Sequence, residues 1–528
     1  MNIFRSSVAA ALATAVTTTG LTAAGLVAHD AAGQAVVVQA EQTALQQELD
    51  TLLADPRFTG SQVGLVVRDA VTGEELYDRD GGSRLLPASN LKLFSSTAAM
   101  DALGPDFRFH TDALSGAQVL DGKLRGDLYL KGYGDPTTLA SDYAALAQQV
   151  AAAGIRRVDG NIVADDTYFD SVRLGDTWSW DDEPFYYSAQ ISALTVAPNT
   201  DYDSGTVIVQ SAPGATAGSP AQLTLVPRTS AVQLVGSVTT GPAGSANTLS
   251  TEREHGTDVV HVSGSVPLGS GTGLEWVTVW EPTSYAADVF RRALVAAGVE
   301  VRGGLRSGTT PSGARLLAHD TSMTLGELLV PFLKLSNNMH AETLVKTMGA
   351  VRAGDGSWPA GLSVVTAYAS SRGVATGTLR ISDGSGLSRK DNLTPDSIAD
   401  LLVAARSEPW FQQWYDALPI AGNPDRFVGG TLRSRMRNTP AANNLHGKTG
   451  SLTGVTALSG YVTDADGRKL VFSMISNNYL VSPRSVEDAV GVTLASYSES
   501  STVAAVRPAS ALASDSRTEL ECSWVKAC

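Results

Sequence analysis

The pattern of hydrophobic and polar residues changes twice along the chain and divides it into three stretches. Before about residue 108 and after about residue 320, apolar residues recur at helical spacing or in longer β-type runs. Between these stretches, short alternating runs are separated by turn signals such as Asp159-Gly160-Asn161. The pattern therefore predicts a β-rich insertion within a domain of mixed helices and strands.

The two outer stretches contain the elements of one packed domain. The expected elements are a helix that begins near Leu45, a hairpin at residues 63–69 and 75–78, helices at 325–335 and 339–348, strands at 447–462 and 469–477, and a closing helix at 484–498. Helices that pack on an antiparallel sheet bury one face of each element. We therefore expect an α+β fold in which the first and last elements are neighbours.

The composition limits the classes of partner. A chain of 528 residues is long enough for more than one domain. Its net charge of −14 disfavours binding to nucleic acid or to an anionic membrane surface, because both carry the same sign of charge. We expect no nucleic-acid partner.

The first residues have the order of a secretory signal. Arg5 precedes a run of apolar and small residues at 8–28, and we expect residues 1–40 to be the signal, although small residues allow several cleavage points. No later run reaches the roughly 18 apolar residues that a membrane span needs. We therefore expect a secreted, extracellular protein of the cell-wall space, with no stable membrane anchor after cleavage.

The only cysteines, Cys522 and Cys528, lie in the last seven residues and cannot link the core. An oxidising compartment would allow a bond between them, and the sequence leaves open whether they pair. No cysteine or histidine cluster has the spacing of a zinc site, and we expect no metal or other cofactor. Residues 502–528 are rich in alanine, serine and polar residues, which predicts a flexible tail.

Three short strings carry the candidate chemistry. In chain order they are Ser89-Asn90-Leu91-Lys92, Ser336-Asn337-Asn338 and Lys448-Thr449-Gly450. A serine hydroxyl needs a base within hydrogen-bond reach to act as a nucleophile near neutral pH. A spacing of three puts Ser89 and Lys92 on one face of a helix, about 5–6 Å apart at Cβ. The first string therefore predicts a nucleophile and its lysine base in the first turn of a helix.

Isolated copies of these strings also occur by chance. Ser523-Trp524-Val525-Lys526 repeats the first string in the tail, and Ser476-Asn477-Asn478 repeats the second one in the wrong order. Ser336, by contrast, lies between two predicted helices, where a loop can direct side chains into a cleft. Order and flanking pattern together therefore indicate a single site.

With these motifs the chain resembles a class C low-molecular-mass penicillin-binding protein, a D-alanyl-D-alanine carboxypeptidase/endopeptidase of the secreted actinobacterial type. The strings that carry the resemblance lie at residues 86–94, 334–338, 383–389 and 446–450. The resemblance implies a serine-type DD-peptidase that cleaves the D-Ala-D-Ala bond, and D-Ala cross-links, of peptidoglycan peptides. It also implies that β-lactam antibiotics are covalent inhibitors.

The resemblance implies a domain plan as well. The penicillin-binding, β-lactamase-like catalytic domain would be discontinuous, at residues 41–108 and 318–501. A β-rich second domain at 109–131 and 213–317 would split it, and a third domain, nested in the second, is expected at 132–212.

Roles for the catalytic residues follow from the same resemblance. Ser89 would attack the carbonyl between two D-alanines, and Lys92 would take its proton. Ser336, together with Lys448, would pass a proton to the leaving amine. Asn338 would hydrogen-bond both Lys92 and the substrate amide.

Three further residues are expected to bind substrate along the last string. Thr449, with Lys448, would hold the terminal carboxylate of the substrate. Gly450 would let the substrate backbone approach closely, because it has no side chain. The backbone N–H groups of Ser89 and Ser451 would surround the oxyanion.

A second cluster concerns specificity. The resemblance implies that Asp182 and Arg389 bind the free amino and carboxylate groups at the end of a peptidoglycan side chain, and opposite charges suit such a zwitterion. The adjacent Asp181 is an alternative to Asp182. The residues expected to line this pocket are Tyr187, Leu452 and Thr453.

Two other functions are weighed against a DD-peptidase. A serine β-lactamase is disfavoured because no Glu-x-x-Leu-Asn string lies between Ser336 and Lys448, and because the insertion is unlike a compact lactamase. A noncatalytic peptidoglycan- or penicillin-binding protein is disfavoured because every catalytic string is intact. The absence of a Gly-x-Ser-x-Gly elbow disfavours an α/β-hydrolase.

Overall fold

A computed structural model describes residues 42–499, the strands Val27–His29 and Ala35–Val37, and Lys526. The rest of the expected signal at 1–40 and the rest of the expected tail at 502–528, including both cysteines, lie outside the described residues. In the described part, no helix combines the length and the apolar character needed to cross a membrane.

The helices are α1 Ala44–Leu53, α2 Lys92–Leu103, α3 Ala140–Ala152, α4 Pro282–Ala296, α5 Leu325–Lys334, α6 Asn338–Ala353, α7 Trp358–Ser371, α8 Pro395–Ala405, α9 Phe411–Asp416, α10 Arg426–Gly429 and α11 Arg484–Ser496.

The strands are β1 Val27–His29, β2 Ala35–Val37, β3 Gln62–Asp69, β4 Glu75–Arg79, β5 Arg108–Ser115, β6 Val119–Leu120, β7 Lys123–Leu124, β8 Leu128–Gly132, β9 Arg157–Val158, β10 Ile162–Asp165, β11 Thr206–Ala212, β12 Gln222–Val226, β13 Gln233–Gly236, β14 Thr239–Gly241, β15 Ser250–Arg253, β16 Val259–Ser263, β17 Ser265–Pro267, β18 Gly273–Thr278, β19 Glu300–Val301, β20 Leu305–Ser307, β21 Arg315–Thr324, β22 His446–Leu452, β23 Val455–Thr463 and β24 Lys469–Asn477.

An antiparallel sheet joins the two ends of the chain. Its strand order is β22-β23-β24-β3-β4, and Leu65 of β3 pairs with Met474 of β24. Successive side chains of a strand point to opposite faces. Leu65 accordingly packs against the leucines of α1 and the apolar face of α11, whereas Val66 packs against α2 and α8. Helices therefore cover both faces of the sheet, and its first and last elements are neighbours.

Helix α2 is the central element of the larger core. Ten of its residues are buried, including Phe94 and Met100, which is typical of a helix surrounded by protein. A 3-10 turn, Ala88–Leu91, precedes it, and Ala88 has a left-handed φ of 46°. The spacing predicted Ser89 in the first turn of the helix. That placement is wrong by one turn, because α2 begins at Lys92 and Ser89 lies in the preceding 3-10 turn.

The insertion has a core of its own. The five-stranded sheet β20-β10-β8-β5-β21 packs against α3 and α4. The sequence pattern predicted strands here and missed both helices. Helix α3 does carry a helical signal, since its buried residues Tyr143, Leu146, Ala147 and Val150 follow the 3.6-residue period.

The strand pairing groups the insertion differently from the expected nested domain at 132–212. Strand β10 lies within that range but pairs with β8 and β20 on either side of it. Two other sheets, β12-β11-β18 and β13-β16-β15, are built from strands at 206–278. The expected nested domain at 132–212 stays a prediction.

Candidate active site

Lys92 brings the first two strings together. Its Nζ donates hydrogen bonds to Ser89 Oγ at 2.9 Å, to Asn338 Oδ1 at 2.7 Å and to the Ser385 carbonyl at 2.8 Å. Lys92 is fully buried, and Ser89 is 3% exposed. The amine is thus held beside the serine hydroxyl before any substrate arrives, in a place from which it can accept the hydroxyl proton.

Lys448 brings the third string to the same place. Its Nζ donates to Ser336 Oγ at 2.7 Å and to the Thr449 carbonyl at 2.7 Å. Ser336 has a left-handed φ of 57°, which lets the chain turn sharply between α5 and α6. Asn337 then caps α6 by accepting from the His340 N–H. The turn therefore directs the Ser336 hydroxyl toward Lys448.

Asn338 connects the catalytic lysine to the insertion. Its Oδ1 accepts from Lys92, and its Nδ2 donates to the Tyr187 carbonyl at 2.8 Å. The contact with Lys92 is the one expected from the resemblance. The amide N–H that was expected to reach substrate is directed at Tyr187 in this structure.

Two glycines hold the Ser89 turn between neighbouring segments. A Cβ on Gly450 would lie 2.8 Å from the Pro87 carbonyl oxygen, and one on Gly386 would lie 1.9 Å from that of Ala88. Gly386 also has a left-handed φ of 83°. The close approach at Gly450 is thus to the protein's own backbone. Strand β22 lies at the edge of its sheet, next to this turn, and an edge strand can pair with an extended peptide.

The expected specificity residues also lie close together. Asp182 Oδ1 accepts from the Tyr187 hydroxyl at 3.0 Å, and the exposed Arg389 donates to the Thr453 carbonyl at 3.2 Å. Burial raises the pKa of Asp182, and the nearby charge of Arg389 opposes that shift. Leu452 packs against a small apolar cluster that includes Tyr187. Asp181 is exposed, whereas Asp182 is half-buried beside Tyr187.

Sequence reasoning missed Glu342, which holds the backbone of Gly384 and Ser385 beside the catalytic residues. Fully buried on α6, it accepts hydrogen bonds from the Gly384 and Ser385 N–H groups, both at 2.8 Å, and from Trp358 Nε1 at 2.7 Å. Burial raises its pKa to about 7. Glu342 therefore positions the Ser385 carbonyl that accepts from Lys92. Its spacing of four from Asn338 on one helix is the signal that could have indicated it.

Thr431 is a second residue that the motifs did not indicate. Thr449 Oγ1 donates to Thr431 Oγ1 at 2.8 Å, and both side chains are buried. Thr431, in the 3-10 turn Gly430–Leu432, therefore fixes the orientation of the Thr449 hydroxyl.

With this geometry, comparison with known proteins is informative. A model of the D-Ala-D-Ala carboxypeptidase 3 (S13) family matches residues 45–497. The chain belongs to this family. The resemblance drawn from the motifs is therefore confirmed.

The D-Ala-D-Ala carboxypeptidase 3 family includes similar curated proteins. The chain is 47% identical over 494 residues to a D-alanyl-D-alanine carboxypeptidase of Actinomadura sp., which covers 93% of this chain and 91% of the relative. It is 27% identical over 431 residues to the D-alanyl-D-alanine carboxypeptidase DacB of Haemophilus influenzae, which covers 80% of this chain and 86% of the relative.

Solved structures agree with the family assignment. Penicillin binding protein 4 of Haemophilus influenzae superposes with a TM-score of 0.73 at 25% identity and covers 85% of this chain and 99% of its own. A second structure of that protein, complexed with a β-lactam, gives a TM-score of 0.67 at 25% identity and covers 85% of this chain and 98% of its own. The α+β fold expected from the sequence is thereby confirmed.

Proposed function

We propose that the protein is a serine-type DD-peptidase that cleaves the D-Ala-D-Ala bond of peptidoglycan peptides through an acyl-enzyme on Ser89. The observation that carries this proposal is the 2.9 Å contact between Ser89 Oγ and the buried Lys92 Nζ. Membership of the D-Ala-D-Ala carboxypeptidase family supports the substrate. The similarity to a solved protein in complex with a β-lactam supports acylation by penicillins.

Acylation begins when neutral Lys92 takes the Ser89 proton and the serine oxygen attacks the carbonyl carbon. The fixed oxygens of Asn338 and Ser385 hold the resulting ammonium in place, so little reorganisation is needed. The developing oxyanion is placed between the backbone N–H groups of Ser89 and Ser451. Losing one such donor typically costs about 10²–10³ in rate.

The leaving amine needs a proton before the acyl-enzyme can form. The Lys448 ammonium and the Ser336 hydroxyl, 2.7 Å apart, form a short path that ends at the site. Lys448 and Thr449 also bind the terminal carboxylate of the substrate. Water then attacks the ester of Ser89: its proton passes through Ser336 to Lys448, the Lys92 ammonium returns a proton to Ser89 Oγ, and the shortened peptide is released.

The pocket of Asp182 and Arg389 selects the side chain of the peptide. A side chain that ends in both an amine and a carboxylate would meet one opposite charge for each group. Arg389 is exposed and Asp182 is half-buried, so both side chains retain contact with solvent. Tyr187, Leu452 and Thr453 complete the pocket.

The place of action is the cell-wall space. The order of charged and apolar residues in the first 40 residues supports export, and the expected substrate lies outside the cytoplasm. We propose that the protein is secreted after removal of residues 1–40.

The test is incubation with defined peptidoglycan peptides and detection of the products by mass spectrometry. Release of D-alanine, or splitting of a D-Ala cross-link, is expected for the native chain. A Ser89→Ala chain should give no product and no covalent label with fluorescent penicillin, whereas the exposed Ser83→Ala control should behave like the native chain. Fast nitrocefin turnover without peptide cleavage would favour a β-lactamase instead.

A further inference from the structure

Asp182 lies in a short turn that has little support of its own. None of the residues of the 3-10 turn Trp180–Asp182 is buried, and the residue that precedes the turn, Ser179, makes no capping hydrogen bond to it. A 3-10 turn of this length has poor hydrogen-bond geometry and does not keep its shape alone. The position of Asp182 therefore depends on contacts with the rest of the chain.

The first of these contacts is made by Glu183, the residue that follows Asp182. Glu183 is only 6% exposed, and its carboxylate accepts from Nη2 of Arg253, which is 1% exposed and ends strand β15 of the insertion. Arg253 Nη2 also donates to the Glu183 carbonyl at 3.2 Å. A hydrogen bond between two charged groups is about twice as strong as a neutral one. The chain is thus fixed to β15 directly after Asp182.

Arg253 is itself held in one orientation. Its Nε donates to Thr278 Oγ1 at 3.0 Å, and its Nη1 donates to the carbonyls of Glu254 at 3.1 Å and Thr257 at 2.6 Å. Thr278 Oγ1 in turn donates to the Glu183 carbonyl at 3.0 Å. Every nitrogen of the guanidinium has a partner, so Arg253 gives Glu183 a fixed point of attachment.

A second contact holds the chain on the other side of Asp182. Trp180 is 67% exposed, yet its ring stacks on the His255 ring, with the centroids 4.3 Å apart and an angle of 14° between the planes. His255 Nδ1 also lies 2.8 Å from Glu183 Oε2. Residues 253–255 of the insertion therefore contact both the residue after Asp182 and the residue two places before it.

We propose that Glu183 is a positioning residue for peptide selection, which holds Asp182 where the side-chain amine of a substrate binds. Arg253 and His255 are its attachment points. Asp182 then meets the amine without first being ordered, and ordering a loop on binding lowers affinity. This inference rests on the proposed function, because it assigns the amine to Asp182. It adds that the insertion, which contains none of the three catalytic strings, contributes to the choice of substrate.

The experiment compares two D-Ala-D-Ala peptides whose side-chain amine is either free or acetylated. Glu183→Ala should raise KM for the free-amine peptide by up to about tenfold, the size of one charge-assisted hydrogen bond, and leave kcat nearly unchanged, because Asp182 touches no reacting atom. KM for the acetylated peptide, which offers no ammonium, should stay the same. Glu252→Ala, which removes an exposed acid from β15, is the matched control and should behave like the native chain. Equal losses with both peptides would overturn the proposal.

A conservative variant and a double variant separate positioning from general damage. Glu183→Gln keeps an oxygen that accepts from Arg253 and should restore most of the preference for the free amine. Glu183→Ala combined with Asp182→Ala should lower this preference no further than Asp182→Ala alone, because both changes act on one contact. Additive losses would show that Glu183 acts elsewhere.

His255 gives a check that leaves the buried pair of Glu183 and Arg253 in place. His255 is partly exposed, so its variants should fold even where Glu183→Ala does not. The ring of His255→Phe can still stack on Trp180, whereas His255→Ala loses that contact as well. The preference for the free amine should fall in both and fall further in His255→Ala. A native preference in His255→Ala would contradict the second attachment.

Binding separates this inference from the proposed function. Calorimetry with both peptides, on chains that also carry Ser89→Ala, reads out even if nothing is cleaved. Weaker binding of the free-amine peptide alone, when Glu183→Ala is added, is the expected result, and unchanged binding would overturn the positioning role. Absence of cleavage by the native chain would reject only the proposed function.

Discussion

The catalytic strings and the side-chain pocket lie next to each other but are built in opposite ways. Lys92 is completely buried and has three fixed oxygen partners, whereas Arg389 is exposed and contacts a backbone carbonyl at 3.2 Å. Proton transfer gains from groups that are in place before the substrate arrives. A charged recognition pocket can stay open, because the ligand supplies the missing counter-charges. Variants in the two regions should therefore differ in size of effect and in dependence on substrate.

The largest effect is expected from Lys92→Met. Loss of the base should lower the acylation rate by about 10²–10⁴, for peptides and penicillins alike. Fluorescent penicillin labelling over time measures it. Lys469→Met, which removes an exposed lysine of β24 that contacts Thr463, is the control and should retain the native rate. A Lys92→Met chain that reacts at near-native rate would show that another group is the base.

The next effect in size is expected from Asn338→Ala. It removes a hydrogen bond to the Lys92 amine, worth about 1.5–3 kcal/mol, which corresponds to a loss of roughly 10–10² in acylation rate. Asn338→Asp keeps the acceptor but cannot donate to the Tyr187 carbonyl. Its carboxylate also stabilises the ammonium form of Lys92, which opposes removal of the Ser89 proton, so Asn338→Asp should be slow as well. A native rate in both variants would contradict preorganisation of Lys92 by this residue.

A smaller and substrate-dependent effect is expected from Asp182→Ala. Peptides with a free side-chain amine should be cleaved about tenfold more slowly, which corresponds to one charge-assisted hydrogen bond, and peptides with a blocked amine should be unaffected. Paired kcat/KM values measure the difference. The exposed Asp181→Ala serves as control. Equal losses with both peptides would remove the distinction between the two regions.

The smallest effect is expected on stability rather than on rate. Burial raises the pKa of Glu342 from 4.5 to about 7, so its carboxyl ionises first in the unfolded chain. The native chain should therefore lose stability as pH rises from 4.5 to about 7. The glutamine of Glu342→Gln cannot ionise, so this variant lacks the loss. The difference in unfolding free energy between the native chain and Glu342→Gln should therefore become smaller as the pH rises over that range. Urea unfolding at both ends of the range measures the gap, and a constant gap would contradict the raised pKa.

The sequence predicted the elements that depend on local pattern. Ser89 and Lys92 are three residues apart, and their proximity follows from a single turn. The hairpin β3–β4, strand β24 and helix α11 are indicated by hydrophobic periodicity alone. The single strand predicted at 447–462 is wrong, because the chain turns at 453–454 and forms the antiparallel strands β22 and β23. The proximity of Ser336 and Lys448 could be predicted only from the family resemblance. Local sequence pattern does not indicate that residues 112 positions apart form a hydrogen bond.

Other features depend on long-range packing and could not be predicted in this way. Glu342 acquires its role from Gly384 and Ser385, which come from a distant loop. Glu183 is one acid among many until the fold buries it beside Arg253, which lies 70 positions further along the chain.

The pairing of β3 with β24 also bears on how the protein is made. Leu65 and its partner Met474 are separated by almost the whole chain, so the sheet that carries β22 cannot close until synthesis is nearly complete. Contacts between such distant segments form slowly, because a long loop must first be closed. The nucleophile is thus translated early but stays without its partners until late. A chain that is still being synthesised is therefore unable to cut peptidoglycan until β24 has been made and has paired with β3.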